Sequence, residues 1–240
     1  MKSTVLICVA TISSMLACAP ATKVTVRNEI TAVSSSPVDH DGISMQAKVY
    51  GVKEASEHPR LGRTVPATIN KLGFNVQGKV GFSLVTPPVF EVRFTNSTNH
   101  VVRTKGTVIK LTDAAGNTYD PKSKDELQAT LDQAIQKMAD GVDGQKVTLD
   151  SGALTTLKGA ITSIKILDQN AEILPNVTET FYVCFNLPVE PTADSINQWL
   201  SSQTTLTLKV FDLTTETDAA GTPTKKAQFD FPINIKSTNQ

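Results

Sequence analysis

The sequence predicts a mostly β fold, a β-sandwich of about seven to nine short strands with one or two helices inserted into a connection. Three observations predict it. Apolar and polar residues alternate over several runs, most cleanly over residues 89–95, where Phe90, Val92 and Phe94 oppose Glu91, Arg93 and Thr95. Turn-forming residues separate the runs, as in Asn96-Ser97-Thr98-Asn99-His100 and Asp113-Ala114-Ala115-Gly116-Asn117. Helical spacing appears with a full start signal only once, at Ser123-x-x-Glu126.

Taken in order, residues 19–38 are rich in Ala, Thr, Ser and Val and end in Ser34-Ser35-Ser36-Pro37, which fits a short leader. Alternation over 23–33 predicts a first strand within it, and residues 42–52 predict another, with Ile43, Met45, Ala47, Val49 and Gly51 on one side. Residues 53–72 mix Lys, Glu, His, Pro and Arg without a period and are expected to form a long loop, part of an excursion over 53–79. Residues 101–112 are expected to continue the sheet begun at 89–95, ending in a reversal in which Gly116 supplies a positive φ. Asp218-Ala219-Ala220-Gly221 is a near copy of that reversal, set between strands whose Leu206, Leu208 and Val210 answer Phe229, Phe231, Ile233 and Ile235. In the helix, Leu127, Leu131, Ile135 and Met138 form one stripe and Gly141 ends it. Residues 153–164 fit either a helix or a strand pair. Residues 194–201 fit a short helix with Ile196, Trp199 and Leu200 inward.

Strand count and spacing place the sandwich in the immunoglobulin type. The succession of strand, Asn-rich turn, strand, Asp-x-x-Gly-Asn turn and then Leu174-Pro175 ahead of Phe181-Tyr182-Val183-Cys184-Phe185-x-Leu187-Pro188 resembles Ig-like domains of exported bacterial proteins, over roughly residues 80–236. The Cys-Trp-Cys hallmark of antibody domains is absent.

The N-terminus carries the most specific signal. Lys2 precedes an apolar segment from Val5 to Leu16, and Met15-Leu16-Ala17-Cys18 closes it. A cation, an apolar run and a small residue at the cut form a secretory signal, and the run is shorter than the ~20 residues a membrane span needs. The cysteine after Leu-Ala makes the segment resemble the lipobox of bacterial lipoproteins, although Met15 stands where the family usually has Leu. The resemblance implies that Cys18 receives a diacylglycerol, becomes the first mature residue and is then N-acylated, commonly with palmitate. Ala19, rather than Asp, follows it. By the same resemblance this favours the outer membrane, with the body facing the periplasm.

These readings divide the chain into a signal peptide (1–17), a lipidated N-terminus and leader (18–37) and a single Ig-like domain (38–240) with a helical insertion at about 122–165. The whole chain holds 23 Lys plus Arg and 23 Asp plus Glu. Near-neutrality argues against a nucleic-acid partner and against adhesion to anionic lipid by charge alone. Of three cysteines only Cys184 would remain unmodified in the mature chain, so no intrachain disulfide is expected. Cys184 lies in an apolar run and reads as a small core residue.

No G-x-S-x-G elbow, P-loop or Rossmann glycine pattern is present, and no cofactor is expected. His40, His58 and His100 lack metal-like spacing, and Asp39-His40-Asp41 reads as a polar turn. Asp113, Asn117 and Asp120 lack the acidic loop of a calcium site and read as a hairpin turn. Asn96-Ser97-Thr98 and Asn176-Val177-Thr178 match glycosylation acceptors that a bacterial lipoprotein would leave bare. No catalytic or metal-ligating residue is assigned. The expectation is a non-catalytic envelope lipoprotein with a protein partner; the alternative is a small-ligand or carbohydrate binder rimmed by residues 53–79 and the helical insertion, against which the 5% aromatic content counts.

Overall fold

The structure is a computed structural model that describes residues 36–141, 144–218 and 222–235, together with the backbone of 29–30 and 237–238. The lipobox with Cys18, and most of the strand expected over 23–33, lie outside the described residues. Among the described residues the chain is mostly β, in several antiparallel sheets and without a barrel.

A four-stranded sheet organises the molecule. Its order is β12–β6–β3–β2, formed by β2 (Val38–His40), β3 (Ile43–Tyr50), β6 (Val89–Asn96) and β12 (Val177–Cys184). Ile43, Met45, Ala47 and Val49 alternate inward as predicted, and Phe90, Val92, Phe94, Phe181 and Val183 join them on that face. They share one core with Leu206, Leu208 and Val210 of β13 (Thr205–Thr217) and with Phe229, Phe231 and Ile233 of β14 (Pro223–Asn234). β13 is the hub of that second sheet, pairing with β14 on one side and with β7 (Val102–Arg103) and β8 (Val108–Thr112) on the other. β8 also pairs with β9 (Thr118–Tyr119), and β7 with β11 (Glu172–Ile173). Residues 101–112 therefore do not continue the β6 sheet. Thr104 to Thr107 form a turn between β7 and β8, and both strands belong to the opposite sheet. Alternation marks a strand without naming its partner. Helix α4 (Ala193–Ser201) adds Ile196, Trp199 and Leu200 to this core, as its stripe predicts. At the chain's ends, β1 (Glu29–Ile30) pairs with β15 (Ser237–Thr238).

A second core lies under the other face of the four-stranded sheet. Tyr50, Val89, Tyr182 and Cys184 point into it. Residues 53–72 are not a loop: they hold α1 (Val52–Glu57) and β4 (Gly62–Lys71), which pairs with β5 (Phe74–Ser83) and with β10 (Gln145–Thr148). Pro66 obscured the strand. β10 covers only Thr68 to Lys71, so at Pro66 β4 is paired on one side alone, with β5, and an edge position tolerates proline. Helix α2 (Lys124–Asp140) begins with the predicted capping box: Glu126 N–H donates to Ser123 Oγ (3.2 Å) and Ser123 N–H to Glu126 Oε2 (2.7 Å). Its Leu127, Leu131 and Met138 are buried in this core. Residues 153–164 resolve as helix α3 (Ser151–Ser163), capped by Asp150, whose Oδ1 accepts from Ala153 N–H at 2.6 Å. Both helices fall within 122–165, with β10 between them. Among the described residues, no helix is long and apolar enough to cross a membrane.

The two copied turns carry the same chemistry. Asp113 N–H donates to Asn117 O (3.0 Å), and Asn117 N–H returns to Asp113 Oδ1 (2.8 Å). Likewise Asp218 N–H donates to Thr222 O (2.9 Å), and Thr222 N–H returns to Asp218 Oδ1 (2.8 Å).

Candidate functional site

The strongest constellation of polar side chains lies on the face of the four-stranded sheet that is turned toward the second core, at that core's margin. Strand register builds it. Lys48, Glu91 and Tyr182 are opposite one another on β3, β6 and β12, and Tyr50, Val89 and Cys184 form the next row on the same face. His58 is laid over these rows by the loop that follows α1. Its carbonyl accepts from Leu61 N–H (3.1 Å) and Gly62 N–H (2.8 Å), folding the loop tightly. Gly62 is required there, because a Cβ would stand 1.8 Å from Ser56 O.

Tyr50 Oη donates to Glu91 Oε2 at 2.8 Å, and His58 Nε2 lies 3.8 Å from the same oxygen. Arg60 N–H donates to His58 Nδ1 (3.2 Å), which assigns the ring proton to Nε2, facing Glu91. The Tyr50 and Tyr182 rings flank His58, with centroids at 5.0 and 6.0 Å, and Lys48 Nζ sits 4.6 Å from the Tyr50 ring centre. Burial pushes the Tyr50 phenol up, and the Glu91 carboxylate adds to the shift. Tyr182 moves the same way, again chiefly through burial. Burial lowers His58 below its ordinary 6.5, outweighing the pull of Glu91 toward the charged form.

This arrangement holds one neutral imidazole and one carboxylate, too few for a zinc site, with the carboxylate already accepting from a phenol. It fixes the α1 loop to the sheet and presents aromatic edges around a single acceptor. A pH test follows. As pH falls below about 6.5, an unfolded chain protonates His58 before the folded one does, so stability declines until the lowered folded pKa is reached. Urea midpoints at pH 7.5 and 5.5 should fall further for the wild type than for His58→Gln; equal losses would remove His58 from the effect.

Alternation sets Glu91 opposite Phe90, Val92 and Phe94, but nothing in the spacing of Tyr50, His58, Glu91 and Tyr182 foretells their meeting. The other singled-out residues are structural. Cys184 is fully buried, and burial raises its thiol to about 12, against the influence of Lys122. His100 Nε2 lies 2.6 Å from Thr215 O, and exposed His40 meets Phe229 edge-on at 4.9 Å. Asp39 and His40 pair with Ser44 and Ile43 across a reversal in which Asp41 and Gly42 take positive φ. Burial raises Asp113, but bonds from Tyr119 Oη (2.6 Å), Asn117 and Ala115 bring it net below the ordinary carboxylate range. Asp120 instead pairs with Lys110. Asn96 is wholly buried, its amide donating to His100 O (2.8 Å) and Ile173 O (3.0 Å). Among the described residues, no group of three or more His, Cys, Asp or Glu is placed to hold a metal ion.

Lys122 lines a recess of about 80 Å³ beside Thr86, Phe185 and Ile196, and burial lowers its pKa.

No protein-family model matches the chain, and no curated protein matches it. A solved structure described as a functionally unknown protein from Listeria monocytogenes EGD-e aligns over 88% of this chain and 90% of its own, with 14% identity and a TM-score of 0.37. A similarity that low carries no argument about function.

Proposed function

We propose that this protein is a membrane-anchored envelope lipoprotein, held by acyl groups on Cys18 and presenting an immunoglobulin-like β-sandwich to a protein partner as a non-catalytic or accessory component. The observation that carries the reading is Met15-Leu16-Ala17-Cys18 at the end of the apolar run behind Lys2. Ala19 supports an outer-membrane position facing the periplasm. Two antiparallel sheets around one core support the sandwich, and the inserted helices spend their apolar stripes on the second core rather than on a partner. Edge strands suit docking; β14 is long, and Lys225, Lys226, Gln228 and Asp230 punctuate it.

Cross-linking in intact membranes tests the role. A photoreactive residue at Gln228 should yield one dominant adduct with an envelope protein. The reading is contradicted if no adduct forms at Gln228 or at any other exposed position along β14.

A second reading, small-ligand binding, is favoured by the half-buried Tyr50–His58–Glu91–Tyr182 cluster. It requires a ligand whose affinity falls in His58→Gln while the β14 adduct persists.

A further inference from the structure

The β4–β5 hairpin runs past the helices that cover its base. Val65, Ala67, Ile69, Val80 and Phe82 on its inner face are buried against the second core. The same face continues through Val76 and Phe74 to the turn at Leu72, and there the cover ends. Leu72, Phe74 and Val76 are 84%, 74% and 58% exposed, three of the four exposed large apolar residues among those described. Leu72 also takes φ +52 and Gly73 φ +84, a turn that Asn-Gly would make with less strain and no apolar exposure. Folding alone gives no reason for leucine at this place.

Charge identifies the occupant. The overall balance of the chain conceals a local excess: the β10–β4–β5 sheet carries Arg63, Lys71, Lys79 and Lys146 and no acidic residue. Lys71 adjoins the turn, and Lys146 pairs with Asn70, next in register; both are exposed. Close by, the last turn of α2 carries one cation, Lys137, and one anion, Asp140, which cancel in formal charge and leave Lys71 and Lys146 in excess on the sheet. An apolar point flanked by the ammonium groups of Lys71 and Lys146 complements the acyl–headgroup boundary of an anionic bilayer, where the side chains leave water and the cations meet phosphate. We infer that the Leu72–Phe74–Val76 tip of the β4–β5 hairpin inserts into the surface of an anionic lipid membrane, as a contact separate from any lipid on Cys18.

The test uses the full chain carrying Phe74→Trp. The chain's own tryptophan, Trp199, lies in the sandwich core and serves as internal reference. Vesicles of phosphatidylcholine and phosphatidylglycerol with brominated acyl chains supply a quencher that acts only within the bilayer. The residue-74 emission should shift to the blue and be quenched, and both effects should weaken on phosphatidylcholine alone and in high salt. In a Cys18→Ser chain made with an ordinary cleavable signal in place of residues 1–17, Leu72→Ser with Phe74→Ser, far-UV circular dichroism unchanged, should weaken vesicle partitioning by at least about tenfold, the lower bound for two apolar side chains that no longer leave water. The inference is overturned if emission from residue 74 is unchanged on vesicles, if neutral and anionic vesicles quench equally, or if the shift appears without vesicles as protein concentration rises, which would mark a contact between copies. Because the readout is local to residue 74, loss of anchoring in Cys18→Ser with quenching retained separates this contact from the proposed lipid attachment.

Discussion

Cys18→Ser is expected to abolish incorporation of labelled fatty acid completely. Given an ordinary cleavable signal in place of residues 1–17, the same variant is expected to pass from the membrane to the soluble fraction. The reasoning is covalent first: without the thiol there is no thioether, and the later acylation steps have no substrate. Energetics then decide the distribution. Each buried methylene contributes about 0.8 kcal/mol, so two or three acyl chains hold effectively permanently, whereas a single short contact holds reversibly. A mature body of 22 cations against 23 anions, once Lys2 is removed, supplies no general electrostatic substitute. The hairpin tip on its own gives only weak, salt-sensitive binding. Undiminished labelling of Cys18→Ser would refute the assignment.

Phe90→Ala should destabilise the fold by about 4 kcal/mol, the middle of the range for a fully buried aromatic. Phe90 is 0% exposed, lies between the two sheets and meets Phe185 edge-on with centroids 5.5 Å apart. Its removal leaves a cavity walled by paired strands on both sides, which cannot collapse without breaking register. For a domain of this size the melting temperature should drop by about 8–16 °C. Phe74→Ala is the counterpart: with 74% of its surface in water, it should change stability by less than about 0.5 kcal/mol. Thermal scans of the two variants check both numbers; a large loss at Phe74, or a negligible one at Phe90, would mean that the core has been misplaced.

Much of the fold was legible because it follows from short-range rules. Alternation placed Ile43, Met45, Ala47 and Val49 inward, and capping residues marked the start of α2. Asp113 and Asp218 revealed a repeated turn because an Asp side chain can close such a turn within four residues. What was not legible depends on partners distant in sequence. Pro66 masked β4, since its tolerance rests on where β10 stops. The strands over 101–112 went to the wrong sheet because their partner, β13, lies about a hundred residues further on. The Tyr50–His58–Glu91–Tyr182 cluster arises from a three-strand register and a loop held by Gly62, and local patterning reads neither. Leu72-Gly73-Phe74 left a trace in the sequence, an apolar pair at a turn, which the polar surroundings of 53–79 obscured.

The most direct measurement is mass spectrometry of the N-terminal peptide from protein purified out of its native membrane. The proposed attachment predicts that the chain begins at Cys18 and carries a thioether-linked diacylglycerol with a fatty acyl group on the new amine. An unmodified thiol at Cys18, or a chain that begins elsewhere, would contradict it.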